Sequence, residues 1–154
     1  MKYIASIIAI LGLAALAGCF NIAGQDIYAA GYATASDILD HDATLAPTIK
    51  DVAAKLPVLT TGGLTDFDLG TLRRELNTLE SNTTFLKGVV AKDGTALSTA
   101  QAILAGFISS TQTANGGKVP SINTLAVMQF TQGLTNGIAY WQGKQPVAVP
   151  APAP

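Results

Sequence analysis

One stretch limits the folds open to this 154-residue chain more than any other. Leu69, Leu72, Leu76, Leu79, Thr83, Leu86 and Val90 recur in alternating steps of three and four. A helix turns once every ~3.6 residues, so this spacing lays a narrow apolar seam along one side of a helix. Such a seam resembles that of a coiled coil and needs a partner helix to cover it. Thr65-Asp66-Phe67-Asp68 precedes it with the spacing of a capping box, with Asp where Glu is preferred. Together these predict one long central helix over about 66–92. Its weak point is Ser81-Asn82-Thr83-Thr84, where helix propensity is poor. A break there would leave two shorter helices. Asp93-Gly94 should stop the helix, because Gly reaches the left-handed conformation that helix ends use.

The remaining pattern is also helical. Ile27, Tyr28, Gly31, Tyr32, Ala35, Ile38 and Leu39 predict a helix over about 22–40, ended by the polar knot Asp40-His41-Asp42. Pro47 suits a first helical turn, where its missing N–H is not needed. Leu45, Ile49, Val52, Ala53 and Leu56 continue that second helix, and Pro57 should end or kink it. Thr60-Thr61-Gly62-Gly63 reads as a loop. Ser98 and Gln101 have capping-box spacing and open a helix over about 99–114, with Ala100, Ile103, Leu104, Phe107, Ile108 and Thr111 on one face. The connection from Gly94 is so short that this helix should lie antiparallel to the central one. Ser121, as N-cap, opens the last helix. Its apolar side is Leu125, Val127, Phe130, Leu134, Ile138 and Trp141, and Gly143 should end it. Gly133 and Gly137 weaken it by about 1 kcal/mol each relative to Ala. Their spacing of four would let a neighbouring helix of the same bundle come close.

The expected fold is therefore all-α, a small bundle of about five helices over 26–143 with no strand alternation. Its expected core is Ile27, Leu39, Ile49, Val52, Leu56, Leu72, Leu76, Leu79, Leu86, Ile103, Leu104, Phe107, Phe130, Leu134 and Ile138. Pro146, Pro150, Pro152 and Pro154 make 144–154 an extended, disordered tail.

The first residues carry a different signal. Met1-Lys2 is a short positive end, residues 4–16 are apolar apart from Ser6, and small residues lead to Cys19. This is the three-part layout of a secretory signal. As a helix the run reaches only ~20 Å, short of the ~30 Å hydrocarbon core of a bilayer. Leu16-Ala17-Gly18-Cys19 resembles the lipobox of bacterial lipoproteins: Leu three residues before the cysteine, two small residues, then Cys. The resemblance covers about the first twenty residues. It implies that 1–18 is a signal peptide recognised by its peptidase through Leu16, Ala17 and Gly18. It also implies that Cys19 is lipidated and that 19–25 is a lipidated tether. Cys19 is the sole cysteine and has no disulfide partner, so lipidation also gives it a use. Two or three acyl chains anchor stably where one binds marginally. Phe20 stands where enteric-type lipoproteins retained in the inner membrane carry Asp. The resemblance thus favours the outer membrane, on its periplasmic face.

Little else in the chain carries chemistry. Charged residues are 12%, against a usual ~25%. The formal net charge is −1 and no basic run occurs, which leaves no electrostatic footprint for nucleic acid. His41, the single histidine, has helical spacing with Asp37 but no third ligand of the His/Cys class, so a solvated polar turn is expected rather than a metal site. Glu75 and Glu80 are about 140° apart around a helix and cannot face one substrate. Asp66 and Asp68 suit the positive end of a helix dipole. Asn82-Thr83-Thr84 matches a glycosylation sequon, which means little in a bacterial lipoprotein. No nucleophile elbow or phosphate loop is present. Trp141 should pack in the core with Tyr140 half exposed.

These features predict neither an enzyme nor a bound cofactor or metal. They predict a membrane-anchored lipoprotein with a structural or adaptor role and a protein partner in the envelope. Two alternatives remain open. One is a phage- or prophage-encoded lipoprotein acting in lysis or superinfection exclusion, its Pro-rich end bearing a slight resemblance to outer-membrane spanin lipoproteins. The other is a bundle that binds lipid or a small ligand between Ala/Gly-rich faces.

Overall fold

The apolar seam is buried as the spacing requires. In the computed structural model, which describes residues 24–89, 94–113 and 123–145, Leu69, Leu72, Leu76, Leu79, Thr83 and Leu86 all face inward from one helix. The described elements are α1 (Gly24–His41), a 3-10 turn (Ala43–Leu45), α2 (Ala46–Thr61), α3 (Asp66–Val89), α4 (Gly94–Thr113) and α5 (Thr124–Lys144). The protein is an all-α bundle of five helices among the described residues. The signal-peptide reading of 1–18, most of the tether and the tail from 146 lie outside them.

The Ser81-Asn82-Thr83-Thr84 stretch does not break α3. Asn82 Nδ2 donates to Thr78 O at 2.9 Å, Thr83 Oγ1 to Leu79 O at 2.8 Å and Thr84 Oγ1 to Glu80 O at 3.0 Å. Each side chain returns its donor to a carbonyl of the same helix, so Thr83 can sit fully buried in a leucine seam without an unmet polar group. The capping box at the start also forms. Asp68 N donates to Thr65 Oγ1 at 3.2 Å and Thr65 N to Asp68 Oδ2 at 3.3 Å.

Several local signals do not set the helix boundaries observed. Pro57 does not end α2, which runs on to Thr61 and closes at Gly62 in the left-handed conformation (φ 79°). An interior proline costs about 3 kcal/mol. The added turn, however, buries Leu59 completely, and a buried leucine returns about 1.5–3 kcal/mol. Thr60 and Thr61, read as loop, cap that turn by donating to Pro57 O and Val58 O. Gly94 opens α4, while residues 90–93, where α3 is expected to stop, lie outside the described residues; α4 begins five residues before Thr99 because Leu97 and Ala100 are both fully buried. Ser98 and Gln101 therefore form no capping box, and Gln101 Nε2 instead donates to Thr84 Oγ1 at 3.0 Å. The N-cap of α5 is Asn123 rather than the expected Ser121: its Oδ1 accepts from Leu125 N and Ala126 N, and the helix continues past Gly143 to Lys144. Every residue expected in the core is buried.

Helix directions follow from paired contacts. Arg73 Nη2 donates to Thr111 O at 2.7 Å, while Thr84 meets Gln101 further along, so α3 and α4 are antiparallel. By contrast α1 and α5 run parallel. Gly133 lies against Tyr28 and Gly31, Gly137 against Tyr32 and Ala35, and Lys144 Nζ bonds Asp40 Oδ2 at 3.1 Å. This is the most extensive helix pair in the fold. A Cβ on Gly137 would lie 2.6 Å from Tyr32 O and 2.8 Å from Ala35 Cβ, and one on Gly133 would lie 2.7 Å from Tyr32 N. Gly31 faces the Phe130 carbonyl equally closely. The two backbones touch with no side chain between them.

Gly137→Ala should therefore destabilise the bundle by about 1–3 kcal/mol through overpacking, although Ala is the better helix former. Gly88→Ala on α3, where a Cβ meets nothing within 4 Å, should stabilise it by about 0.5–1 kcal/mol. Denaturant unfolding of both variants reads the opposite signs.

Candidate functional site

The close approach of α1 and α5 aligns an aromatic ladder along their common edge. Tyr28 and Tyr32 are one helical turn apart on α1, with ring centroids 6.4 Å apart and planes 28° apart. The Tyr32 ring lies 5.7 Å from that of Tyr140 on α5. The polar edges of the ladder are tied down. Asn136 Nδ2 donates to Tyr28 Oη at 3.0 Å, and Lys144 Nζ sits 4.3 Å from the Tyr140 ring centroid while bonding Asp40. The three tyrosines, Asp40 and Lys144, with Ala33, Ser36, Asp37 and Ala96, line an open groove of about 540 Å³.

Its electrostatics are mild. Burial raises the Tyr32 hydroxyl above the ordinary tyrosine range, and the neighbouring Tyr140 phenol adds to this, so Tyr32 is neutral at physiological pH. The hydrogen bond to Asp40 raises Lys144 and keeps it charged. Ser36 Oγ donates to Asp37 Oδ1 at 3.3 Å. The groove therefore offers flat apolar rings with hydroxyl tips and one cation already paired with a carboxylate. That chemistry suits recognition by stacking and hydrogen bonding.

A second cluster joins α2 and α3. Lys55 Nζ bonds Asp51 Oδ2 one turn earlier on α2 and lies 3.8 Å from Glu75 Oε2 on α3. Loss of hydration between the two helices pushes the Glu75 carboxyl up to about 7, with further contributions from the hydrogen bond to Asp51 and from its charge. The hydrogen bond to Lys55 holds Asp51 below its usual range. Glu75 is thus a buried-edge acid with partners on another helix, and Glu80 is not part of the cluster.

Cys19, Leu16, Ala17, Gly18 and Phe20 lie outside the described residues. His41 is the last residue of α1 and is exposed, its ring 5.1 Å from that of Phe85. Asp42 N-caps the following 3-10 turn through Thr44 N at 3.0 Å, so the polar knot does end the helix. Among the described residues no group of three or more His, Cys, Asp or Glu side chains is placed to hold a metal. Trp141 packs partly buried against the core and Tyr140 is half exposed. The tyrosine ladder was missed in the sequence, although Tyr28 and Tyr32 carried a signal in their spacing of four. Nothing local pointed to Tyr140 as their continuation. Compared with protein-family models, with curated proteins and with solved structures, the chain matches none.

Glu75 generates a pH prediction. Folded, it keeps a proton across the interval from 4.5 to about 7 that it releases when unfolded. It contributes stability below pH 4.5 that is lost as pH rises through about 7. Glu75→Gln should leave stability unchanged at the acid end and raise it above neutrality by up to about 3 kcal/mol, as read by urea unfolding at a series of pH values.

Proposed function

We propose that this chain is a lipid-anchored lipoprotein of the bacterial envelope whose helical bundle acts, without catalysis, as a structural or adaptor module for a protein partner. The observation that carries this reading is Leu16-Ala17-Gly18-Cys19, closing an apolar run too short to span a bilayer. Among the described residues no helix is long and apolar enough to cross a membrane, which suits anchoring by acyl chains at Cys19. Phe20, in place of a retention Asp, favours the periplasmic face of the outer membrane. The aromatic groove supports the adaptor role, because tyrosine is enriched at protein interfaces for its broad ring and polar tip.

Replacing Cys19 by Ser should release the protein from the membrane fraction and abolish metabolic palmitate labelling. Retention of the variant at the wild-type level would end the anchoring reading. For the partner role, a photo-crosslinking residue placed at Tyr140 should capture one discrete envelope protein, and the pair Tyr28→Ala and Tyr32→Ala should weaken that capture. Labelling that is equally strong from Lys50, which lies on α2 outside this groove, would count against the groove.

The groove also favours a second reading. Its volume falls within the ~300–1,000 Å³ typical of small-molecule sites. Native mass spectrometry of protein extracted from its own membranes would show a retained small molecule if that reading holds.

A further inference from the structure

The bundle has two unlike ends. Gly24 packs against Gln129, so the start of α1 lies beside the first turns of α5. Lys55 on α2 meets Glu75 on α3, and Lys50, Ala53 and Ala54 share a groove with Thr135, Ile138 and Gln142. Only residues 42–45 separate the α-helices α1 and α2, and only residues 62–65 separate α2 from α3, so α2 runs antiparallel to both neighbours and α3 returns parallel to α1 and hence to α5. The beginnings of α1, α3 and α5 therefore form one end, the base. His41 and Phe85, in contact, mark the other end.

Three large apolar side chains at that base are exposed, and Val89, at 63%, is comparably exposed towards the other end. Phe67 is 80% exposed, Leu125 60% and Met128 59%. Each sits in the first turn or two of its helix, where no part of the described bundle covers it. The charged residues in the first turns of α1 and α3 are Asp26, Asp66 and Asp68, and Lys55 on α2 lies within electrostatic range of Asp68. Among the described residues the base thus carries exposed apolar side chains with a sparse, mainly acidic rim.

Chain length identifies what it meets. Cys19 precedes Gly24 by five residues, which span at most ~17 Å when fully extended. We propose that Phe67, Leu125 and Met128 are the foot on which the bundle rests, inserted into the interfacial layer of the bilayer that holds the Cys19 lipid. This rests on the lipoprotein reading above. The occupant is a lipid surface of low net charge, because the acidic rim offers nothing to anionic headgroups and insertion is driven by apolar burial. Phe85 and Val89 are also exposed, but Phe85 lies eighteen residues along α3 from Phe67, ~27 Å at helical rise and beyond the reach of the tether.

The test uses the full lipidated protein. Lipidation consumes the Cys19 thiol, so Met128→Cys or Phe85→Cys supplies a single site for an environment-sensitive fluorophore. Each is reconstituted into phosphatidylethanolamine–phosphatidylcholine vesicles with or without brominated lipid. The label at Met128 should shift to the blue and be quenched by bromines high on the acyl chain, matching an interfacial depth of ~5–10 Å. The label at Phe85 should do neither. A protein that floats with vesicles yet shows no quenching at Met128, or equal quenching at both sites, overturns the foot while leaving the anchor intact. A protein that does not float overturns both. A blue shift at Met128 that is already present without vesicles and grows with protein concentration would assign the face to a second copy of the chain and overturn the proposal.

Discussion

The contact between α1 and α5 sets the rest of the structure. Gly31, Gly133 and Gly137 remove the side chains that would hold these helices apart, and the backbones meet directly. Each glycine weakens its own helix by about 1 kcal/mol. The return is an interface in which peptide groups of two helices touch, and Phe130, Leu134 and Ile138 are buried around it. Because α1 and α5 stand at opposite ends of the described chain, their pairing also closes the bundle. α2, α3 and α4 are then confined to the space that remains.

The same contact builds the groove. The tilted rings of Tyr32 and Tyr140 meet only because their helix axes come so close, and the Asp40–Lys144 and Tyr28–Asn136 bonds follow from the same register. A bulkier α1–α5 interface would part the rings. The core elsewhere is built on a similar economy of volume. Thr34, Thr83 and Ser110 are buried, each donating its hydroxyl to the carbonyl four residues earlier. Small polar side chains can thus replace alkyl groups at tight positions without leaving an unmet donor.

Periodicity was the part of the fold most legible in the sequence. The Leu69-to-Leu86 seam, the capping box at Thr65 and Asp68, and the expected core residues all follow from steps of three and four. Local punctuation was less reliable. Pro57 and Ser98 each carry a preference of about 1–3 kcal/mol, comparable to burying one more leucine. Leu59 and Leu97 decided the outcome at these two places. The glycine pair at 133 and 137 was readable as a close approach, but its partner was not, because Gly31 lies about a hundred residues away. The groove was hidden for that reason, and so was the elevated Glu75, whose partners Asp51 and Lys55 belong to another helix. The cysteine motif rests on sequence alone, since it precedes the described residues.

The functional account joins a short apolar leader ending at Cys19 to a bundle with an aromatic groove on its side and an apolar base near the tether. Its central claim is chemical and concerns one residue. Mass spectrometry of the N-terminal peptide from membrane-purified protein tests it most directly. The account predicts a peptide that begins at Cys19, with residues 1–18 removed and a diacylglyceryl group in thioether linkage to the sulfur. A chain that retains those residues, or that begins elsewhere and carries a free Cys19 thiol, would contradict it.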